Sequence, residues 1–138
     1  MYDHVLIPTD GTDASRRAAD HGISLAAALG ATVIGLSVVE DAGSVQRDQL
    51  RADLEGEAED ALATLEAGAE KANVPAEVVV LEGQPDREIL AFVDEHDVDL
   101  IVMGTEQRTG FDRVLDHSVA EAVLEGTTVP VLTVQHPT

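Results

Sequence analysis

Two polar stretches hold the side chains whose types and spacing suit chemistry. The first is Thr9-Asp10-Gly11-Thr12-Asp13, which directly follows the apolar run Val5-Leu6-Ile7-Pro8. Paired carboxylates and hydroxyls in so short a stretch suit a magnesium ion or the hydroxyls of a ribose. The same residues also make an ordinary strand-to-helix turn, with Gly11 for the bend and Thr12 or Asp13 as N-cap. The second stretch runs from Gly104 to Ser118, after the apolar run Leu100-Ile101-Val102-Met103. It carries a further glycine, Gly110, the arginines Arg108 and Arg113, and His117. It closes on Ser118-Val119-Ala120-Glu121, the spacing of a capping box that opens a helix. A buried strand that stops at Gly104, a polar loop and a helix N-terminus would present backbone N–H groups and a positive dipole end to an anion. His117 either donates to that anion or simply fills a loop position.

Other chemistries are excluded by what the chain lacks. It has no cysteine, so disulfides, thiol catalysis and thiolate metal sites are out. No Gly-x-x-x-x-Gly-Lys-Ser/Thr, no Gly-x-Gly-x-x-Gly and no Gly-x-Ser-x-Gly occurs, which removes the P-loop, the dinucleotide fingerprint and the hydrolase elbow. The histidines at 4, 21, 96, 117 and 136 form no i, i+4 pair, and His117 beside Asp116 is a weak metal signal. The one lysine is Lys71, so none ends the last strand to neutralise a phosphoryl aspartate. A hydrolase or kinase would need Asp10 or Asp13 as its base, and nothing in the sequence poises either. No catalytic residue and no resident metal are expected.

The elements that must position these stretches alternate along the chain. The expected strands are Val5–Pro8, Thr32–Val39, Glu77–Leu81, Val98–Met103 and Val129–Val134. The expected helices are 14–29, closed by Gly30; 46–72; one opened by Pro85; and 119–126. Leu50, Leu54, Ala58, Ala61, Leu62, Leu65, Ala69 and Ala72 make the clearest helical stripe, with Asp53, Glu57, Asp60 and Glu70 on a solvated face. Gly56 and Gly68 weaken that helix. Strand–helix alternation gives an α/β fold: one doubly wound domain over residues 1–138, a five-stranded parallel sheet with helices on both faces. The runs at 33–39, 78–81 and 100–103 fit strands buried on both sides. Ligands in such sheets lie beyond the carboxyl ends of the strands at the topological switch point, for which the two polar stretches compete. Pro130 suits an edge strand, and an apolar edge is either shielded by the chain terminus or paired with a second subunit.

Composition narrows the partners. The chain has 138 residues, 44% of them apolar and only 2% aromatic, with no tryptophan, so aliphatic residues must build the core and base stacking is not expected. No apolar stretch reaches the ~20 residues of a membrane span. The start, Met-Tyr-Asp-His-Val, lacks a basic secretion signal, so a cytoplasmic protein is expected. The formal charge is −19, with acids spread along the whole chain. Such a surface repels nucleic acid and anionic lipid at ordinary ionic strength. It suits a high-salt cytosol, where at ~1 M the Debye length falls to ~3 Å, so a halophilic source is expected.

Taken together, Val5-Leu-Ile-Pro-Thr-Asp-Gly-Thr-Asp-Ala-Ser15, Val98-Asp-Leu-Ile-Val-Met-Gly-Thr105, Arg108-Thr-Gly110, Ser118-Val-Ala-Glu121 and Val129-Pro-Val-Leu-Thr-Val134 resemble the universal stress protein family from end to end, as an acidic, haloarchaeal-type member. The resemblance implies a non-catalytic stress-response module. It also implies a homodimer through the last strand, with Val129, Val131, Leu132, Thr133 and Val134 at the interface. Its ATP-binding members carry Gly-x-x-Gly, nine residues, then Gly-Ser/Thr. Here Gly104 and Ser118 match, whereas Gln107 and His117 replace glycines. The residues the resemblance implies for an adenine nucleotide are Thr9, Asp10, Val39, Gly104, Arg108, Gly110, His117, Ser118 and Val119, with Mg²⁺ only on the bound phosphates. The bulkier Gln107 and His117 would narrow the loop. The alternative is a dimer that binds no nucleotide and acts through protein partners.

Overall fold

The computed structural model describes the backbone of residues 1–40, 47–106 and 111–136, and side-chain surroundings for 1–40, 52–105 and 119–135. Strand β1 (His4–Pro8) leads into helix α1 (Asp13–Leu29). There follow β2 (Thr32–Val39), α2 (Arg47–Lys71), β3 (Ala76–Glu82), α3 (Pro85–Glu95), β4 (Leu100–Glu106), α4 (Phe111–Gly126) and β5 (Val131–His136). All strand pairs are parallel, in the order β3-β2-β1-β4-β5. The chain therefore winds outward from β1 in one direction, then returns to its other side at β4. That reversal is the switch point, and it sets the turn after β1 beside the end of β4.

Period-two alternation divides the strands between two aliphatic layers. Val5, Ile7, Val33, Leu100 and Val102 pack with Ala18, Ile23, Ala26, Leu65 and Ala69 of α1 and α2. Leu6, Ile34, Leu36, Ile101 and Met103 pack on the other face with Ile89, Phe92, Val93, Ala120 and Val123 of α3 and α4. Most of the α2 stripe lies as its spacing predicts: Ala58, Ala61, Leu62, Leu65 and Ala69 are buried, Leu54 is half-buried, and Asp53, Glu57, Asp60 and Glu70 are exposed; Ala72 lies past the helix end and is exposed, and the Leu50 side chain is outside the described residues. The helix runs unbroken through Gly56 and Gly68. Thr12 caps α1, its hydroxyl accepting from the Ser15 N–H, and Gly30 closes it in the left-handed conformation. The N-terminal edge of the sheet is clamped by Asp99, whose Oδ2 accepts from the amides of Asp3 (2.8 Å) and His4 (2.9 Å).

Three expectations from sequence are corrected. Strand β4 does not stop at Gly104; it continues to Glu106 because Gly104, Thr105 and Glu106 pair with Val134, Gln135 and His136 of β5. Helix α4 begins at Phe111, about two turns before Ser118, so Ser118 lies inside it and is not its N-cap. The reason is periodic: apolar residues at 111, 114 and 115 extend the stripe of 119, 122 and 123 backwards. The run at 78–81 is not buried on both sides. β3 is an edge strand, and Val78 and Val80 are 37% and 44% exposed.

Candidate functional site

The β1–β4 ladder covers only Val5 with Leu100 and Leu6 with Ile101, whereas β1 stays paired with β2 as far as Pro8. Beyond that short ladder the N-terminus of α1 comes up against β4. A Cβ on Gly104 would lie 2.4 Å from the Ala14 carbonyl oxygen, closer than any real contact allows. Gly104 is thus glycine because helix backbone presses on strand backbone there. Gly104 therefore lies within β4 and not in a loop, and from there it lines the cleft described below.

The turn after β1 is held by its own side chains. The Thr9 amide donates to the Leu36 carbonyl (2.8 Å), extending the β1–β2 ladder by one residue. Asp10 Oδ1 accepts from the Thr12 amide (3.0 Å) and the Thr12 hydroxyl (2.7 Å), an Asx turn. Gly11 sits between them at φ +82°, a conformation that a side chain disfavours. The buried Thr9 hydroxyl donates to Ser15 Oγ (3.1 Å), which in turn donates to the Thr12 carbonyl (3.0 Å). Every hydroxyl in this turn is therefore oriented, and one oxygen of Asp10 is tied to the amide and hydroxyl of Thr12.

Above the turn lies a cleft of about 610 Å³, formed by the ends of β1, β2 and β4 with α2, α3 and α4. That volume is within the range of small-molecule sites. Leu54, Ala58, Val38, Val39, Ile89, Met103 and Val119 give it apolar walls, and Thr9, Thr12, Ser15 and Ser37 give it hydroxyls. Its charged lining is entirely acidic among the described residues: Asp10, Glu40, Glu57 and Asp86. No group of three or more His, Asp or Glu that could hold a metal occurs among the described residues.

Of the residues expected from sequence, the fold brings Thr9, Asp10, Val39, Gly104 and Val119 into this one cleft. Arg108 and Gly110, with Gln107, lie outside the described residues; His117 and Ser118 are placed only as backbone of α4. Ser15, Ser37 and Ile89 were missed. Ser37 is the signal that was there to read, a lone hydroxyl, now 3% exposed, inside the otherwise apolar run of β2. Of the strand-five residues, Val134 is buried in its own core and Val131 packs against the α3–α4 layer, while Leu132 and Thr133 are exposed.

The sequence pattern of the Universal stress protein family matches residues 1–135. The chain belongs to the universal stress protein family. Universal stress protein MJ0531 of Methanocaldococcus jannaschii is 37% identical to this universal stress protein over 143 aligned positions, covering 99% of this chain and 84% of that one. The solved structure of hypothetical protein MJ0577 superposes with a TM-score of 0.84 at 27% identity, covering 100% and 99% of the two chains. That protein comes from the same organism. A universal stress protein solved in complex with cAMP superposes at 0.74 with 26% identity, covering 99% of each chain. No helix among the described residues is long and apolar enough to cross a membrane.

Proposed function

We propose that this universal stress protein is a non-catalytic stress-response module that binds an adenine nucleotide in the cleft at the switch point. The observation that carries this is the pairing of apolar walls with an oriented hydroxyl turn in one space of about 610 Å³. Val39, Leu54 and Ile89 suit the faces of a purine, and the turn from Thr9 to Thr12 suits a ribose. The related protein solved with cAMP holds a ligand of that class. Arg108, Gly110, His117 and Ser118 belong to the phosphate side of this reading. Gln107 and His117, where the ATP-binding pattern has glycine, make that side degenerate for ATP, and Mg²⁺ would come only with the nucleotide's phosphates. Titration calorimetry with AMP and ATP in molar KCl tests the reading. A saturable heat with one ligand per chain is expected, and no heat at millimolar ligand removes it. Equal phosphate release by the wild type and Asp10→Ala supports the non-catalytic assignment; release lost only in the variant overturns it.

The open sheet edge supports a homodimer through β5. Leu132 is 41% exposed there and Thr133 beside it is exposed too, so these two of the expected interface residues face outward, whereas Val134 is buried and Val129, just before the strand, and Val131 pack against the chain's own core. Native mass spectrometry should show two subunits, and Leu132→Lys should shift the population to monomer. A wild-type monomer ends this proposal and leaves any protein partner to be met by a single chain. The −19 charge supports a cytoplasm of high salt. The melting temperature should rise steeply from ~0.1 M to molar KCl as repulsion is screened. A flat profile would count against a halophilic source.

A further inference from the structure

The sheet has a second open edge, at β3, which pairs with β2 alone among the described residues. The Val33 amide donates to the Pro75 carbonyl (2.9 Å), and the Gly83 amide donates to the Val39 carbonyl (3.0 Å). Backbone groups alternate sides along a strand, so the odd residues from 75 to 83 turn theirs toward β2. Those of Ala76, Val78, Val80 and Glu82 point away from the sheet, an unpaired row. The same four residues carry their side chains on the α2 face: Ala76 packs against that layer, whereas Val79 and Leu81 pack against the other. Helix α2 does not reach far enough across to cover Val78 and Val80, which stay exposed.

One flank of α2 faces β1 and α1, where Ala61 stands against Gly11 and Gly68 against Ile23. Helical periodicity puts Glu55, Glu59 and Glu66 on the opposite flank, toward β3. Leu62 and Leu65 stand over Gly35, the register partner of Val78, which sets the exposed Glu59 and Glu66 at the level of the two valines. Residues 52–70 and 76–82 hold no lysine or arginine. An apolar strip, a row of unpaired main-chain groups and an acidic wall therefore run side by side. We infer that the β3 edge docks an extended, basic segment of a partner protein as an added strand. Main-chain hydrogen bonds hold the segment, while its lysine or arginine side chains lay their stems over Val78 and Val80 and carry their charge to Glu59 and Glu66. A second copy of this chain is a poor occupant, because it would set the same acids against each other, with Glu77 and Glu82 on the strand adding to the repulsion. This surface is separate from the cleft and does not depend on a nucleotide.

Amide hydrogen exchange, read by NMR on the full chain in the lowest KCl that keeps it folded, tests the inference. The probe is an end-capped peptide of about nine residues in which lysine and valine alternate. In the free protein the Val78 and Val80 amides should exchange fast, and saturating peptide should slow them at least roughly tenfold. The Val79 and Leu81 amides, already bonded to β2, should change little. The fully N-methylated peptide keeps the charge but cannot donate to the edge, and a peptide with glutamate for lysine keeps the main chain but not the charge; neither should protect the two valines. The double variant Glu59→Gln/Glu66→Gln, changed only at exposed positions, should bind the lysine peptide several-fold more weakly. Valine amides unmoved by the lysine peptide overturn the inference. Equal protection by the N-methylated peptide overturns strand addition, leaving only attraction to an acidic surface. Equal protection by the glutamate peptide, or a double variant that binds unchanged, overturns the choice of a basic partner. Protection that grows with protein concentration and no peptide shows that a second copy takes the edge, and overturns it too.

Discussion

The two ends of the sheet are each tied by one aspartate, yet only one end is a site. At the C-terminal end, Asp10 accepts from the amide and hydroxyl of Thr12, two residues on. At the N-terminal end, Asp99 accepts from the amides of Asp3 and His4, 96 and 95 positions away along the chain. Both turn a carboxylate into a backbone clamp. The clamp at Asp99 joins β1 and β4 where their ladder is formed, and closes the sheet. The clamp at Asp10 lies where that ladder has run out and the N-terminus of α1 comes up against β4, and it borders a cleft. A carboxylate in a turn acquires a ligand-binding setting only from what the surrounding strands leave open.

The comparison can be broken most severely at Gly104. Gly104→Ala would place a methyl group 2.4 Å from the Ala14 carbonyl oxygen, which is backbone and cannot step aside. A loss of about 2–3 kcal/mol in denaturant unfolding is expected, with weaker adenosine binding as α1 is pushed off β4. A smaller effect is expected from Thr12→Ala, which removes the α1 cap and releases Asp10. About 1 kcal/mol should be lost, and adenosine affinity should fall with it in the same calorimetric titration.

Asp99→Ala should be smaller still, about 0.5 kcal/mol for a partly solvated clamp, and should leave adenosine affinity unchanged. It sharpens the comparison through pH. The His4 amide first, then the Asp3 amide, hold the Asp99 carboxyl below its ordinary value of 3.8. A carboxyl depressed in the folded state contributes stability above its unfolded pKa, and loses it as pH falls through the folded value. The gap between wild type and Asp99→Ala should therefore be constant at neutral pH and shrink below about pH 4. A gap that widens in acid would show that Asp99 acts by some other means.

Much of the fold was legible because its signals are local. The strand–helix alternation, the α2 stripe, the Thr12 cap and the Gly30 stop each depend on residues within a few positions of one another. The errors share a cause. The end of β4 is set by β5, whose residues Val134–His136 carry the pairing past Gly104. The exposure of Val78 and Val80 depends on β3 having a neighbour on one side only, and apolar content does not reveal which strand is outermost. The start of α4 was legible, since Phe111, Val114 and Leu115 keep the period, but the Ser118-x-x-Glu121 spacing offered a competing local signal.

By itself, the sequence determined an aliphatic parallel sheet, an acidic surface and a polar turn after the first strand. Composition, periodicity and turn chemistry act through near neighbours and leave their mark on the chain. Only the tertiary structure decided that the turn after β1 and Gly104, where the second stretch begins, border one cleft, that Ser37 and Ile89 join them, and that the described charge there is all of one sign. Those properties belong to side chains brought together from separate elements. Their meeting is fixed by where the strand order reverses, which no short stretch of sequence records.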